Sequence, residues 1–198
     1  MKIITWDKKE KVEVKGKFER IPVIIDMQND FVKKEFPVNG HKDNGKLVVA
    51  GAEEIIQKIA NLIEQYRKQE VPIIYTTDWH PYFADEFKVW PIHCVIGTKG
   101  AEIIDELKPN GQDFVIQKNA NAAFTNPNTL DLLKALNAKE FLVTGVATDY
   151  CIKNFAIDAA KNGFKVIVNL DMVKGVDLNK GDIDKAIAEM KAAGVELI

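Results

Sequence analysis

The stretch EFLVTGVATDYCIKNFAIDAAKNGFKVIVNL, residues 140–170, decides the fold. It opens on an apolar run, EFLVTGV, of the kind that forms a strand covered on both faces. Ile152, Phe155, Ala156, Ala159 and Ala160 then recur at i, i+3, i+4, i+7 and i+8, one stripe of a helix. Gly163 fits the cap that ends that helix. FKVIVNL (164–170) is a second buried strand. Strand, helix and strand in so short a span make a right-handed crossover between parallel strands.

The same unit repeats towards both ends. IPVIIDM (21–27), VPIIYTT (71–77) and DFVIQK (113–118) read as buried strands. Residues 52–68 carry Ile55, Ile59, Leu62, Ile63 and Tyr66 on one helical stripe. NTLDLLKALN (128–137) predicts a helix capped by Asn128 or Thr129. GAEIIDELKP predicts a short helix stopped before Pro109. Residues 182–193 align Ile183, Ile187 and Met190, and VELI closes the chain as a strand. The expectation is a single α/β domain over 1–198, a three-layer αβα sandwich with a mainly parallel sheet. Residues 1–20 form an extension, of which TWDKKEKVEVKGKFE reads as a short hairpin.

Composition excludes several classes. With 46% hydrophobic and 28% charged residues among 198, the chain is an ordinary globular one. A net charge of −2 suggests no nucleic-acid partner. No run of 18 apolar residues is present, so no membrane span is expected. The first twenty residues are polar and alternating, unlike a secretory signal. The two cysteines, Cys94 and Cys151, are too few for a disulfide framework, which points to a reducing cytoplasm.

In parallel sheets, ligands bind beyond the carboxyl ends of the strands. That rule selects Asp26 after PVII, Asp78 and His80 after IIYTT, Lys118 after FVIQ, and Cys151 one turn into the helix after FLVTGV. Taken singly, each has a plain structural reading as a turn, rim or core residue; their convergence on one edge is the signal. Asp78 and His80 lie two apart and share a side of an extended segment. With His93, and Glu86 as a further carboxylate, they match a hard-to-borderline divalent ion such as Zn²⁺, Mn²⁺ or Fe²⁺. Cys94 adjoins His93, but adjacent side chains diverge. Cys151 near a helix start feels the positive end of the dipole, which favours thiolate. Its base cannot be a histidine if His80 and His93 bind metal, because His41 lies in a glycine-rich loop, PVNGHKDNG. Asp26 is the best-placed carboxylate, and Lys118 supplies a fixed charge.

These residues sit in VIIDMQNDFV, TTDWHP, WPIHCVIGTKGAE, VIQK and VTGVATDYCIKNFAIDA. Together the segments resemble the isochorismatase-like cysteine hydrolases, and within them the nicotinamidase/pyrazinamidase branch. The resemblance runs from about Ile21 to the C-terminus. It implies an amidohydrolase with Asp26, Lys118 and Cys151 as catalytic residues and one divalent metal, zinc foremost, on Asp78, His80, Glu86 and His93. It also implies a cis peptide between Val146 and Ala147, an oxyanion hole from the N–H groups of Ala147 and Cys151, and a pyridine ring held between Phe31 and Trp90. The partner it implies is a small pyridine carboxamide, and a homo-oligomer is compatible with it. Two departures stand out. Ala84 and Glu86 replace the further histidine or serine of many relatives, which fits the glutamate-ligand variant. Asn121 stands where related chains often carry tyrosine, so it is a further substrate-binding candidate. Three rival readings stay open: an amidase for carbamoyl substrates, a hydrolase using metal-bound hydroxide, and a non-catalytic binder.

Overall fold

The computed structural model describes residues 1–14 and 16–198. Its strands are β1 (Lys2–Ile4), β2 (Phe18–Ile25), β3 (Glu35–Val38), β4 (His41–Asn44), β5 (Ile74–Asp78), β6 (Phe114–Lys118), β7 (Ala138–Val146), β8 (Lys165–Lys174) and β9 (Glu196–Leu197). The α-helices are α1 (Asn29–Val32), α2 (Ile56–Arg67), α3 (Thr129–Leu136), α4 (Lys153–Lys161) and α5 (Asp182–Ala192). Seven strands form one sheet in the order β1-β6-β5-β2-β7-β8-β9. Every pairing in it is parallel.

Alternation of side chains along the strands loads both faces with apolar residues. Val23, Ile25, Ile74, Ile116, Phe141 and Val143 face α3, α4 and α5 through Leu132, Leu136, Phe155, Ala159 and Met190. Ile24, Tyr75, Val115 and Val146 face α2 and the 3₁₀ turn before it (Ala52–Ile55) through Ile55, Ile59 and Ile63. This is the expected three-layer sandwich. Gly163 ends α4 with φ 86°, where a side chain would be strained.

Local departures have local causes. The extension forms no hairpin among the described residues, with Lys15 outside them. Instead β1 joins the main sheet beside β6, with Ile4 buried at 0% exposure. Asn128 stands at the N-cap position of α3, as expected, but makes no side-chain capping bond; its side chain donates to the carbonyls of Thr5 (3.1 Å) and Lys8 (2.7 Å) and accepts from Glu10 N–H (2.7 Å). It thereby fastens the extension to the body. The expected helix at 100–109 is two 3₁₀ turns, Lys99–Ala101 and Asp105–Leu107. Ile103 between them is extended and bridges Gln28. The glycine-rich loop around His41 is a hairpin of β3 and β4, turned by Asn39 and Gly40 at φ 48° and 82°. The helix after β7 starts as a π turn, Thr148–Ile152, before α4.

Candidate active site

Four strand ends build the site. β2 stops at Ile25, and Asp26 takes a left-handed φ of 48° that swings its carboxylate inward. Asp78 and Lys118 are register partners at the ends of β5 and β6. Gly145, in β7, lies against Ile25: an added Cβ would sit 2.1 Å from the Ile25 carbonyl oxygen. Only glycine allows this approach, which brings the π turn carrying Cys151 beside Asp26. The Val146–Ala147 peptide that follows is cis.

Lys118 Nζ is the hub. It lies 2.9 Å from Asp26 Oδ2, donates to Asp78 Oδ1, and lies 3.5 Å from Cys151 Sγ. Thr76 Oγ1 donates to Asp26 Oδ1 at 2.6 Å. Asp26, Asp78 and Lys118 are each 1% exposed. Burial disfavours the charge on Lys118, but the two carboxylates overrule it and hold the ammonium well above its ordinary pKa. Burial likewise opposes ionisation of Asp78, and Lys118 with the two histidines pulls its carboxyl below the usual carboxylate range. Asp26 goes the other way: burial, together with the charge of Asp78, raises its proton affinity. Burial also raises the Cys151 thiol well above its ordinary value, with Asp26 and Asp78 adding to it. Loss of solvation thus opposes the pull of the helix start towards thiolate. A thiol whose proton affinity is raised thus faces a carboxylate whose proton affinity is raised as well.

Next to this trio, Asp78, His80, Glu86 and His93 each offer one donor atom, all within 4.8 Å of one another. His80 Nε2 lies 3.6 Å from Asp78 Oδ2 and 3.8 Å from Glu86 Oε2. His93 Nε2 lies 3.7 Å from Asp78 Oδ2, while its Nδ1 is 2.7 Å from the Pro91 carbonyl. That second contact fixes the ring and leaves Nε2 facing the cluster. Two observations fit a divalent cation. His80 is fully buried with neither ring nitrogen hydrogen-bonded, an arrangement native proteins rarely leave without a ligand. Asp26, Asp78 and Glu86 against the single Lys118 also leave an excess of two negative charges, which one divalent ion balances. Cys94 points into the core at 0% exposure and is no member of the cluster.

A cleft opens over these groups. Asp26, Asp78, Glu86, His93, Asn121 and Cys151 give it polar atoms; Phe31, Trp90, Tyr150, Val146 and Ala147 give it apolar walls. Trp90 meets Tyr150 edge-on at 5.4 Å, and Phe31 lies 5.3 Å from the His93 ring. Asn121 Oδ1 is 3.9 Å from Cys151 Sγ. Every residue selected from the sequence thus falls in or directly behind one cleft. Several were missed. Thr76 was legible by strand periodicity, two residues before Asp78 on the same face. Leu47, Val49 and Val176 also line the cleft but arrive on loops with no sequence signal. Asp149 holds the Val176 loop by accepting from Val176 N–H (2.9 Å) and Asp177 N–H (2.8 Å). Asp30, another miss, accepts from Cys94 N–H at 2.7 Å and so fastens the His93 segment.

Comparison with known proteins agrees with this geometry. Residues 21–198 match the family model of the isochorismatase domain. The nicotinamidase/pyrazinamidase of Mycobacterium tuberculosis is 30% identical over 90% of this chain and 98% of its own length. The pyrazinamidase of Pyrococcus horikoshii, solved in complex with zinc, superposes with a TM-score of 0.79 at 30% identity, covering 91% of this chain and 98% of that one. PnC1 of L. infantum, solved in complex with nicotinate, gives 0.79 at 30% identity, covering 94% and 95%. The chain belongs to the isochorismatase family and is an amidohydrolase of its nicotinamidase and pyrazinamidase branch.

Proposed function

We propose that this chain hydrolyses nicotinamide to nicotinate and ammonia through a thioester on Cys151. One observation carries the reading: Asp26, Lys118 and Cys151 form a buried group at the floor of an aromatic cleft, beside a four-residue donor set. Asp78, His80, Glu86 and His93 would hold a divalent ion, zinc foremost, which when bound supplies an anchor for the ring nitrogen. Phe31 and Trp90 flank the ring, and Asn121 borders the amide. Asp26 takes the thiol proton as sulfur attacks the amide carbon. The N–H groups of Ala147 and Cys151 receive the oxyanion; one such donor typically contributes about 10²–10³ in rate. Asp26 returns the proton to the departing nitrogen, and the C–N bond breaks to release ammonia. A water molecule, deprotonated by Asp26, then adds to the thioester carbon; the C–S bond breaks to give the acid, and Asp26 returns the proton to the Cys151 sulfur. Lys118 stays charged throughout and holds Asp26 and Asp78 in place.

We also read residues 1–198 as one domain, supported by the pairing of β1 with β6. Among the described residues no helix is long and apolar enough to cross a membrane, and we place the enzyme in the cytoplasm. The deciding experiment measures ammonia released from nicotinamide by the zinc-loaded chain. Release that is blocked by a cysteine alkylator, with nicotinamide protecting, supports the thiol route. Release from carbamoyl compounds but not from pyridine amides would reject the substrate assignment.

A further inference from the structure

Gln28 is fully buried, two residues beyond the base, and has no part in the steps above. Its side-chain amide makes three short hydrogen bonds. Oε1 accepts from Asp78 N–H at 2.8 Å; Nε2 donates to the Asp78 carbonyl at 2.8 Å and to the Ala101 carbonyl at 2.7 Å. The reason lies in the sheet. β2 pairs with β5 as far as Ile25 and Thr76, and Asp26 N–H still reaches the Thr76 carbonyl at 3.2 Å. The chain then leaves the sheet at Asp26. In a parallel ladder the N–H and C=O of every second residue point to the same neighbour. After Thr76, the next such residue facing β2 is Asp78, whose two backbone groups would be stranded. The Gln28 amide fills that gap, offering one acceptor and one donor in a plane, as the missing peptide would.

We propose that Gln28 is a positioning residue that fixes the metal ligand Asp78 in register with the base Asp26. The inference rests on the metal site of the proposed function. Asp78 is shared: Oδ1 takes the Lys118 proton donor, while Oδ2 faces His80 and His93. A shift in its backbone therefore disturbs the ion and the lysine together. Because Gln28 N–H donates to the Asp26 carbonyl at 2.8 Å, the base and the brace share one tight turn. The third bond, to Ala101, locks the segment after the His93 loop to the same turn.

The test uses the full chain and zinc alone, in competition with a chromogenic chelator. Q28M keeps the length of the side chain and removes all three bonds. It should weaken zinc binding by about 10- to 100-fold, the range seen when groups supporting a metal ligand are lost. With zinc saturating, it should raise KM for nicotinamide more than it lowers kcat. Q28E keeps the acceptor for Asp78 N–H but sets an oxygen against two carbonyls, and should weaken zinc in the same direction; it decides the matter if Q28M does not fold. D113N is the control. Asp113 accepts from Ile73 N–H (3.0 Å) and Asn110 N–H (2.7 Å) at the opposite end of the strands. It should lower Tm while leaving zinc affinity within about twofold, below the smallest loss expected at a true support. Zinc affinity unchanged in a folded Gln28 variant, or lowered as much in D113N, overturns the proposal. A wild-type chain with no zinc affinity would instead sink the metal reading on which it rests.

Discussion

The cleft has two unlike halves. One is borne on strand ends: Asp26, Asp78 and Lys118 are each 1% exposed and tied to neighbours by several hydrogen bonds. The other is the 81–92 loop, which carries Glu86 on a 3₁₀ turn (Asp85–Lys88) and Trp90 just after it, with Phe83 91% and Val89 80% exposed. Charged groups that must keep shifted proton affinities need a dry, fixed surrounding, and strand ends supply it. Ring recognition needs contact area and tolerates movement, and a loop suffices for it. Under the proposed function, chemistry falls to the first half and selectivity to the second.

The strongest attempt to break it is Cys151→Ala. Turnover of nicotinamide should fall on the order of 10⁴-fold or more, as when a covalent nucleophile is removed elsewhere, while zinc content stays that of the wild type. Retained hydrolysis would transfer the chemistry from the thiol to a metal-bound hydroxide. Asp26→Asn comes next, with a loss of about 10²–10⁴-fold, the usual contribution of a positioned base. The same residue sets a pH limb. Burial raises the Asp26 pKa, and the base works only when ionised. The rate with enzyme, zinc and substrate held fixed should therefore be present at higher pH and lost as pH falls, through a midpoint above the ordinary value of about 3.9. Alkylation of Cys151 followed against pH checks this without turnover.

Trp90→Ala probes the selective half. Loss of an aromatic contact of about 0.5–1.5 kcal/mol should raise KM roughly 2- to 10-fold and leave kcat nearly unchanged. A collapse of kcat instead would make the loop part of the chemistry. The smallest effect is reserved for Phe83→Ser at the loop's outer face. Stability should change by no more than about 0.5 kcal/mol, as for exposed positions generally, and thermal melting checks it.

The strand-borne half is largely legible in the sequence alone. Runs of β-branched residues marked the strands, and the rule that sites lie at their carboxyl ends picked out Asp26, Asp78, Lys118 and Cys151. Helix α4 followed from the spacing of Phe155, Ala156 and Ala159. What periodicity could not supply was anything set by partners distant in sequence. Asn128 looked like a cap but is claimed by Thr5, Lys8 and Glu10. GAEIIDEL has a helix-like apolar spacing, yet Ile103 and Ile104 are buried on an extended path against Met27 and Gln28. The Asn39-Gly40 hairpin is readable from its turn dipeptide, a signal that the loop reading of PVNGHKDNG leaves unused. Burial at Cys151 is likewise out of reach of the sequence, because a helix start is local whereas burial is a property of the whole fold.

The place of β1 has a practical consequence for anyone handling this enzyme. A shortened version starting at Ile21 would keep every residue of the candidate site, yet it would strip the flank from the strand that ends in Lys118. An uncovered flank of that kind recruits foreign strands. Such a truncation should therefore clump during purification, and affinity handles are better fused after Ile198, where the last strand is only two residues long.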